Sequence, residues 1–417
     1  MKLNRTYMAT LFLILIFLGQ IGGIYSYSFK IRSVNESRVN ASTNLFTSLH
    51  SADNTYIIHS VPYHSQDTSY YCGPASLEMI FDFYGKDISQ FDIANVARAN
   101  PAYGAYTDDL VRAAHFSKLS TSVGKDMPGN ITGYQGRPYG YGAFEGHLAN
   151  VQSLINLINM GYPILVLQWF STSHDYGHFR VVIGYVKNGG KITQIITDDP
   201  WQSNGPHFYI NYNTFIDLWT RFSNWALFVC PWSININCSP SPPDVKNSTF
   251  NVNAEIKYTC PKGFSLEYPA SLCKATIKLP SSISLVANES YTKNLNSTNL
   301  TAGEVGTVSW KVVRNVVKSG DVISVNASGI VSGYVSSDSG SYYYPAYTYT
   351  DLIGGNGSIL IKNQGGIKGG GDISRVVIPI TISLITAVSI GVVVTFIFRK
   401  YRVKEESGRK GDQAPKN

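Results

Sequence analysis

Charge and cysteine are both scarce in this chain. Charged residues make up only 15% of its 417 positions, and the net charge of +7 is unevenly placed. The last 19 residues, 399–417, hold seven Lys/Arg against three Asp/Glu, and Lys2 with Arg5 adds two more. About +1 is left for everything between. No basic patch remains, which excludes nucleic acid as a partner. A phosphate-cradling Gly-rich loop of the Walker kind is also missing, so nothing points to nucleotide hydrolysis. Five cysteines cannot all pair: an oxidising compartment can bridge four and must leave one. Cys230, Cys238, Cys260 and Cys273 lie close together while Cys72 is far upstream, which makes Cys72 the natural free thiol.

Val376–Phe398 is an apolar stretch of 23 residues without a charge, enough to span a bilayer as a helix. Arg399, Lys400, Arg402 and Lys404 follow it, so the tail is expected in the cytoplasm. At the other end Lys2 and Arg5 precede the apolar run Met8–Leu18, with Gly22, Gly23 and Ser26 behind it, a secretory signal pattern. The expected topology is a single-pass type I cell-membrane protein with nearly everything outside the cell. Ten Asn-x-Ser/Thr sequons beyond the N-terminal segment, crowded between Asn237 and Asn356, add the expectation of N-glycans.

Composition divides the chain into a signal peptide (1–28), a polar lead (29–55), a first domain (56–232), a second (233–363), a Gly-rich linker (364–375), the membrane span (376–398) and the basic tail (399–417). The first domain opens with a helix carrying Leu77, Ile80, Phe81 and Tyr84 on one apolar face, ended by Gly85. Helices are also expected over 89–99, from an N-cap at Thr107, and over 148–160. The run Ile164–Phe170 reads as a buried strand and β-patterning follows it, which makes the domain α+β. Past Pro240, Pro242 and Pro243, short alternating runs such as Ala275–Leu279, Gly306–Val313 and Asp321–Gly333 predict an all-β, immunoglobulin-like sandwich stalk with Trp310 in its core.

The chemistry concentrates around Cys72. It sits where a helix begins, and a helix N-terminus stabilises a thiolate through partial charge and unpaired N–H groups. Gln66, six residues earlier, offers an amide that can donate to the oxyanion formed when a thiolate attacks a carbonyl. A free cysteine is most often a structural thiol. A nucleophile also needs a base, and the base an orienting partner. Of eight histidines His178 stands out, because it opens a strand that returns through an Asn-Gly turn. A turn at Asn188–Gly189 sets His178 directly opposite Asp199, with Cβ atoms roughly 5 Å apart. If Gly190 joins the turn, the register slips and the carboxylate approaches diagonally. Asp198 is expected on the other face. His174, four residues before His178, lies in a loop, so the pair is not expected to hold a metal.

Gln66, the segment Tyr71-Cys-Gly-Pro-Ala-Ser-Leu-Glu-Met79, the segment Gly177-His-Phe-Arg-Val-Val-Ile-Gly184 and Asp199-Pro200 together resemble the double-glycine-leader (bacteriocin-processing) peptidase-like family, within the papain-like cysteine peptidases. The resemblance spans about residues 58–225. It implies Cys72 as nucleophile, His178 as base, Asp199 as orienter and Gln66 as oxyanion donor, with no cofactor and no metal. Leader-processing members are cytoplasmic and fused to an exporter ATPase. An outward-facing domain is therefore not expected to inherit their substrate rule. The expected activity is that of a membrane-anchored extracellular cysteine peptidase acting on peptides or proteins. Two alternatives stand beside it: a transglutaminase-like acyl or amide transferase, and a catalytically silent surface-binding or adhesion protein.

Overall fold

A computed structural model describes residues 54–120, 133–265, 267–337 and 345–361. The expected signal peptide, nearly all of the polar lead, the Gly-rich linker, the membrane span and the tail lie outside the described residues. Among the described residues no helix is long and apolar enough to cross a membrane.

The first half of the fold is built on a seven-stranded antiparallel sheet. Its strands are β1 (Thr55–Ile57), β2 (Gly142–His147), β3 (Ile164–Trp169), β4 (Gly177–Asn188), β5 (Lys191–Asp198), β6 (Phe208–Asn211) and β7 (Trp225–Cys230). They lie in the order β2-β7-β3-β4-β5-β6, with β1 paired to β4. Helices α1 (Cys72–Phe83), α2 (Gln90–Val96), α3 (Thr107–His115), α4 (Val151–Asn159) and α5 (Tyr212–Thr220) pack around it. Strand β4 is the spine: β-branched and aromatic residues fill it, and Val181, Val182 and Ile183 are fully buried.

Helix α1 departs from the expected one-sided amphipathic helix. Gly73 through Phe81 are all buried, as is Phe83, so the helix runs through the core rather than over it. Its start is pressed tightly against its neighbours. A Cβ at Gly73 would sit 3.1 Å from a Leu110 methyl and 3.2 Å from the Phe179 ring. Gly85, at φ +80°, ends the helix in the left-handed conformation glycine tolerates best. Helix α3 starts one residue off the expectation, with Tyr106 as cap and Thr107 already helical. Ser89 and Asn150 cap α2 and α4 by accepting hydrogen bonds from Asp92 and Ser153 backbone N–H groups.

The second half comprises β8 (Ser233–Ser239), β9 (Ser248–Lys257), β10 (Ser271–Lys278), β11 (Ile283–Leu285), β12 (Thr292–Asn294), β13 (Val305–Arg314), β14 (Asp321–Val335) and β15 (Tyr347–Ile361). These form two four-stranded sheets, β12-β10-β14-β15 and β11-β13-β9-β8. Alternation along them buries one face of each: Val252, Ala254 and Ile256 on β9, Trp310 and Val312 on β13, Ile323, Val325 and Ala327 on β14.

The two halves meet through buried polar contacts. Arg112 on α3 forms an ion pair with Asp351 on β15, and the Ser120 hydroxyl donates to the same carboxylate at 2.6 Å. Burial pulls the Asp351 carboxyl upward and Arg112 pulls it back. The His115 ring, held neutral by burial, hydrogen-bonds the Tyr349 hydroxyl at 2.8 Å. Arg98 binds Asp109 and donates onward to the carbonyls of Ser336 and Pro345. Removing one member of a buried ion pair strands the other charge. Asp351→Ala is therefore expected to destabilise the protein by about 3–5 kcal/mol, measured as a shift in the chemical denaturation midpoint.

Candidate active site

Cys72 is the first residue of α1, and its N-terminal turn has no side-chain cap. Pro74 costs nothing in that turn, because the first N–H groups of a helix lack partners anyway. The His178 side chain and the backbone of Phe179 and Gly73 all act on the Cys72 thiol to lower its pKa. Burial pushes the thiol up, but His178 and these backbone groups outweigh it, and the Cys72 pKa falls below the ordinary thiol value. The other thiols move oppositely. Burial raises Cys230 to about 12, and Cys238, Cys260 and Cys273 each to about 11. All five are free, so no bridge joins the four downstream cysteines in this structure.

His178 is 3% exposed and donates through Nε2 to Asp199 Oδ1 at 2.7 Å. Burial lowers its pKa. Asp199 and Cys72 more than reverse this, and the imidazole ends above its ordinary value. Asp199 is fully buried, yet four groups bind its carboxylate. Oδ1 accepts from His178 and from the Trp201 N–H at 2.9 Å; Oδ2 accepts from Arg180 Nε at 2.6 Å and Asn204 Nδ2 at 2.8 Å. Against the cost of burial, His178, Arg180 and Asn204 hold the Asp199 carboxyl well below the usual carboxylate range.

The register that brings Asp199 here differs from the expected one. Gly189 and Gly190, at φ +56° and +79°, form the two-residue turn, and Asn188 pairs with Lys191 as a strand residue. A turn of the I′ kind needs positive φ at both central positions, and Gly-Gly meets that with less strain than Asn-Gly. Two irregularities, at Val186/Lys187 and Val182/Gly184, move the ladder by one residue and back again, so Val181 pairs with Asp198 on the offset set at the turn. One more step along the same offset sets Asp199 beside Arg180, so it reaches His178 diagonally. Arg180 is the residue that sequence reasoning missed. It shares the His178 face by strand alternation, the one signal the sequence offered. From Asp199 it extends to the Phe170 carbonyl at 2.9 Å, and the Phe170 ring packs edge-on against His178 with centroids 5.0 Å apart. Asp198 accepts instead from the His207 N–H at 2.8 Å.

Gln66 lies in the segment before α1. Its backbone N–H donates to the Pro200 carbonyl at 2.9 Å, tying it to the chain that carries Asp199. Its side-chain amide donates to the Thr68 carbonyl at 2.6 Å, and Oε1 has no partner. One amide N–H remains for another acceptor.

His174 pairs with Asp217 at 3.0 Å, in the loop where the sequence put it. Ligand atoms of His64, Glu78 and Asp87 lie within 4.8 Å of one another. Within that group His64 is hydrogen-bonded to Asp82 and Glu78 to Gln90.

The Peptidase_C39 like family model matches residues 58–227, which contain Gln66, Cys72, His178, Arg180 and Asp199. Residues 58–227 are a C39-like, papain-like cysteine peptidase domain. The C39-like domain thus runs from just after β1 into β7. Among solved structures, the peptidase domain of Streptococcus ComA, a bi-functional ABC transporter involved in a quorum sensing pathway, is similar at 21% identity. That match covers 41% of this chain and 98% of that one, with a TM-score of 0.30. The GAE domain of GGA2p from Saccharomyces cerevisiae is similar at 12% identity over 30% of this chain and 86% of that one, with a TM-score of 0.17. No curated protein matches the chain.

A thiol with a lowered pKa beside an imidazole with a raised one favours a thiolate–imidazolium pair between the two titrations. Any reaction that needs this pair should show a bell-shaped dependence of kcat/KM on pH. The rate is expected to rise as the Cys72–His178 pair loses its first proton, below the ordinary thiol range. It is expected to fall as His178 loses the second, above the ordinary imidazole range. A profile rising only near the usual thiol pKa would contradict the pairing.

Proposed function

We propose that this protein is a membrane-anchored, outward-facing cysteine peptidase. The observation that carries the reading is buried His178, hydrogen-bonded to Asp199 and acting on the Cys72 thiol, inside a C39-like domain. The Cys72 thiolate attacks the carbonyl carbon of a peptide bond. The developing oxyanion takes hydrogen bonds from the Cys72 backbone N–H and the Gln66 amide. His178, protonated and steadied by Asp199, gives its proton to the departing amine. Water then attacks the acyl-enzyme with His178 as base and releases the acid. Nothing in this cycle requires a cofactor.

The outward topology rests on the charge-free run Val376–Phe398 and the basic tail behind it. The two four-stranded sheets are read as an immunoglobulin-like sandwich that holds the C39-like domain. Exposed sequons such as Asn247, Asn288 and Asn299 are where N-glycans are expected. Protease added to intact cells should digest residues 56–363 and spare an epitope on the tail.

The activity is tested by incubating the full-length protein in detergent with a peptide mixture, in ¹⁸O-water, with and without an added amine. Cleavage products with ¹⁸O at new carboxyl ends are expected, absent in Cys72→Ala. No cleavage above the Cys72→Ala background would overturn the peptidase reading. Amine-capped products in place of acids would move the assignment to amide transfer.

A further inference from the structure

A cleft of about 630 Å³ lies between the C39-like domain and the sheet β12-β10-β14-β15, away from Cys72. Its volume falls in the range of ligand-binding pockets, roughly 300–1,000 Å³. Its wall contains three basic side chains, Lys86, Arg137 and Lys278, and no carboxylate. Lys86 and Lys278 are exposed, each on a different half of the fold.

Arg137 is 1% exposed. Its guanidinium stacks over the Phe81 ring at 4.0 Å. Nε and Nη2 donate to the carbonyls of Ala113, Ala114 and Phe116 at the C-terminal end of α3. Its Nη1 has no partner, and the indole Nε1 of Trp232 in the same wall has none either. Asp351, whose charge acts on Arg137 from a distance, is already held by Arg112 and Ser120. Among the described residues Arg137 forms no ion pair. A buried cation without an anion is costly, and here Arg137 and two exposed lysines line one open cavity. The amides of Asn326 and Asn356, also in the wall, can pair with peptide groups.

The position along α1 gives the cleft a use. Cys72 opens that helix, while Tyr84 and Lys86 border the cleft just past its end. Twelve residues of helix span about 18 Å. That line runs through the core, so an extended peptide passing over the surface needs more than roughly six residues to join the two.

We propose that this cleft is an exosite for an acidic segment of the polypeptide substrate, holding it while a bond several residues away reaches Cys72. The proposal rests on the peptidase reading, so its test is made without catalysis. Full-length Cys72→Ala protein is titrated with a fluorescein-labelled hexaglutamate peptide, and with hexaglutamine as the neutral control, by fluorescence anisotropy. Hexaglutamate should bind at least tenfold more tightly than hexaglutamine, and Lys86→Glu with Lys278→Glu should remove that preference. Both lysines are exposed, so the double variant should fold; unchanged circular dichroism checks this. In the active protein the double variant should raise KM for acidic-tailed substrates and leave kcat unchanged. Equal binding of the two peptides, or unchanged hexaglutamate affinity in the double variant, would overturn the exosite. So would an N-glycan on Asn326 or Asn356, whose sequons border the cleft. Intact hexaglutamate binding in a protein that cleaves nothing would sink the peptidase reading and leave the anion site standing.

Discussion

Cys72→Ala is expected to lower kcat for peptide hydrolysis by about three orders of magnitude or more, with little change in fold. Loss of a nucleophile in a cooperating set removes nearly all of the acceleration that the set provides, up to about 10⁶-fold in well-studied hydrolases. Here no other thiol can substitute. Cys72 alone has a lowered pKa, whereas the remaining four are raised to about 11 or 12 by burial. The substitution removes one partly buried sulfur at a helix end, so a circular dichroism spectrum and melting curve close to wild type are expected. Cys238→Ser, in the second half of the chain, should keep full activity. Equal losses from the two substitutions would mean that cysteine contributes through structure rather than chemistry.

Asp199→Asn is expected to be the second most damaging change, lowering kcat/KM by roughly 10²–10⁴, the range set by loss of an orienting carboxylate in a triad. The argument is specific to this site. Every group that faces the Asp199 side chain is a donor: His178 and the Trp201 N–H on one oxygen, Arg180 and Asn204 on the other. An asparagine must turn its NH₂ toward one of these pairs, so two donors meet a donor whichever way it lies. If the NH₂ faces His178, the ring loses its acceptor and the proton leaves Nε2. If it faces Arg180, a guanidinium that is 1% exposed loses its anion. The variant should therefore lose stability as well as rate. Linkage gives the same conclusion. Asp199 is held below its ordinary pKa, so its stabilisation is complete above the normal carboxylate range and fades as pH falls through the depressed value. The wild type should lose stability in acid more steeply than Asp199→Asn, measured by denaturant titrations across pH.

Much of the site was legible because it depends on local chemistry. The start of α1 at Cys72 and its end before Gly85 follow from short-range signals, and the structure has both. The hairpin was legible in outline and wrong in register. Asn188-Gly189 and Gly189-Gly190 are both good two-residue turns, and sequence alone gives no energy difference large enough to choose between them. The two irregularities in the β4–β5 ladder cancel, so the offset set at the Gly189–Gly190 turn is the one that reaches Asp198. Asp199 still reaches His178, because a carboxylate beside Arg180 is one diagonal step from residue 178.

Arg180 was overlooked because an arginine in an apolar strand reads as an exception. Its purpose is visible only when Asp199 and the Phe170 carbonyl converge on it. The junction between the two halves was hidden for a different reason. Arg112 and Asp351 are 239 positions apart, and no periodicity links residues at that separation. What reads as a separate stalk by composition shares buried charges with the C39-like domain.

The central claim is that His178 keeps Cys72 as a thiolate. The most direct measurement is the rate of iodoacetamide alkylation of Cys72, read by peptide mass spectrometry from pH 4 to 10, in the wild type and in His178→Ala. In the wild type, Cys72 is predicted to react well below the pH at which Cys238 and Cys260 do, with a midpoint that His178→Ala moves up toward the ordinary thiol range. A wild-type midpoint at the ordinary thiol value, unmoved by His178→Ala, would contradict it.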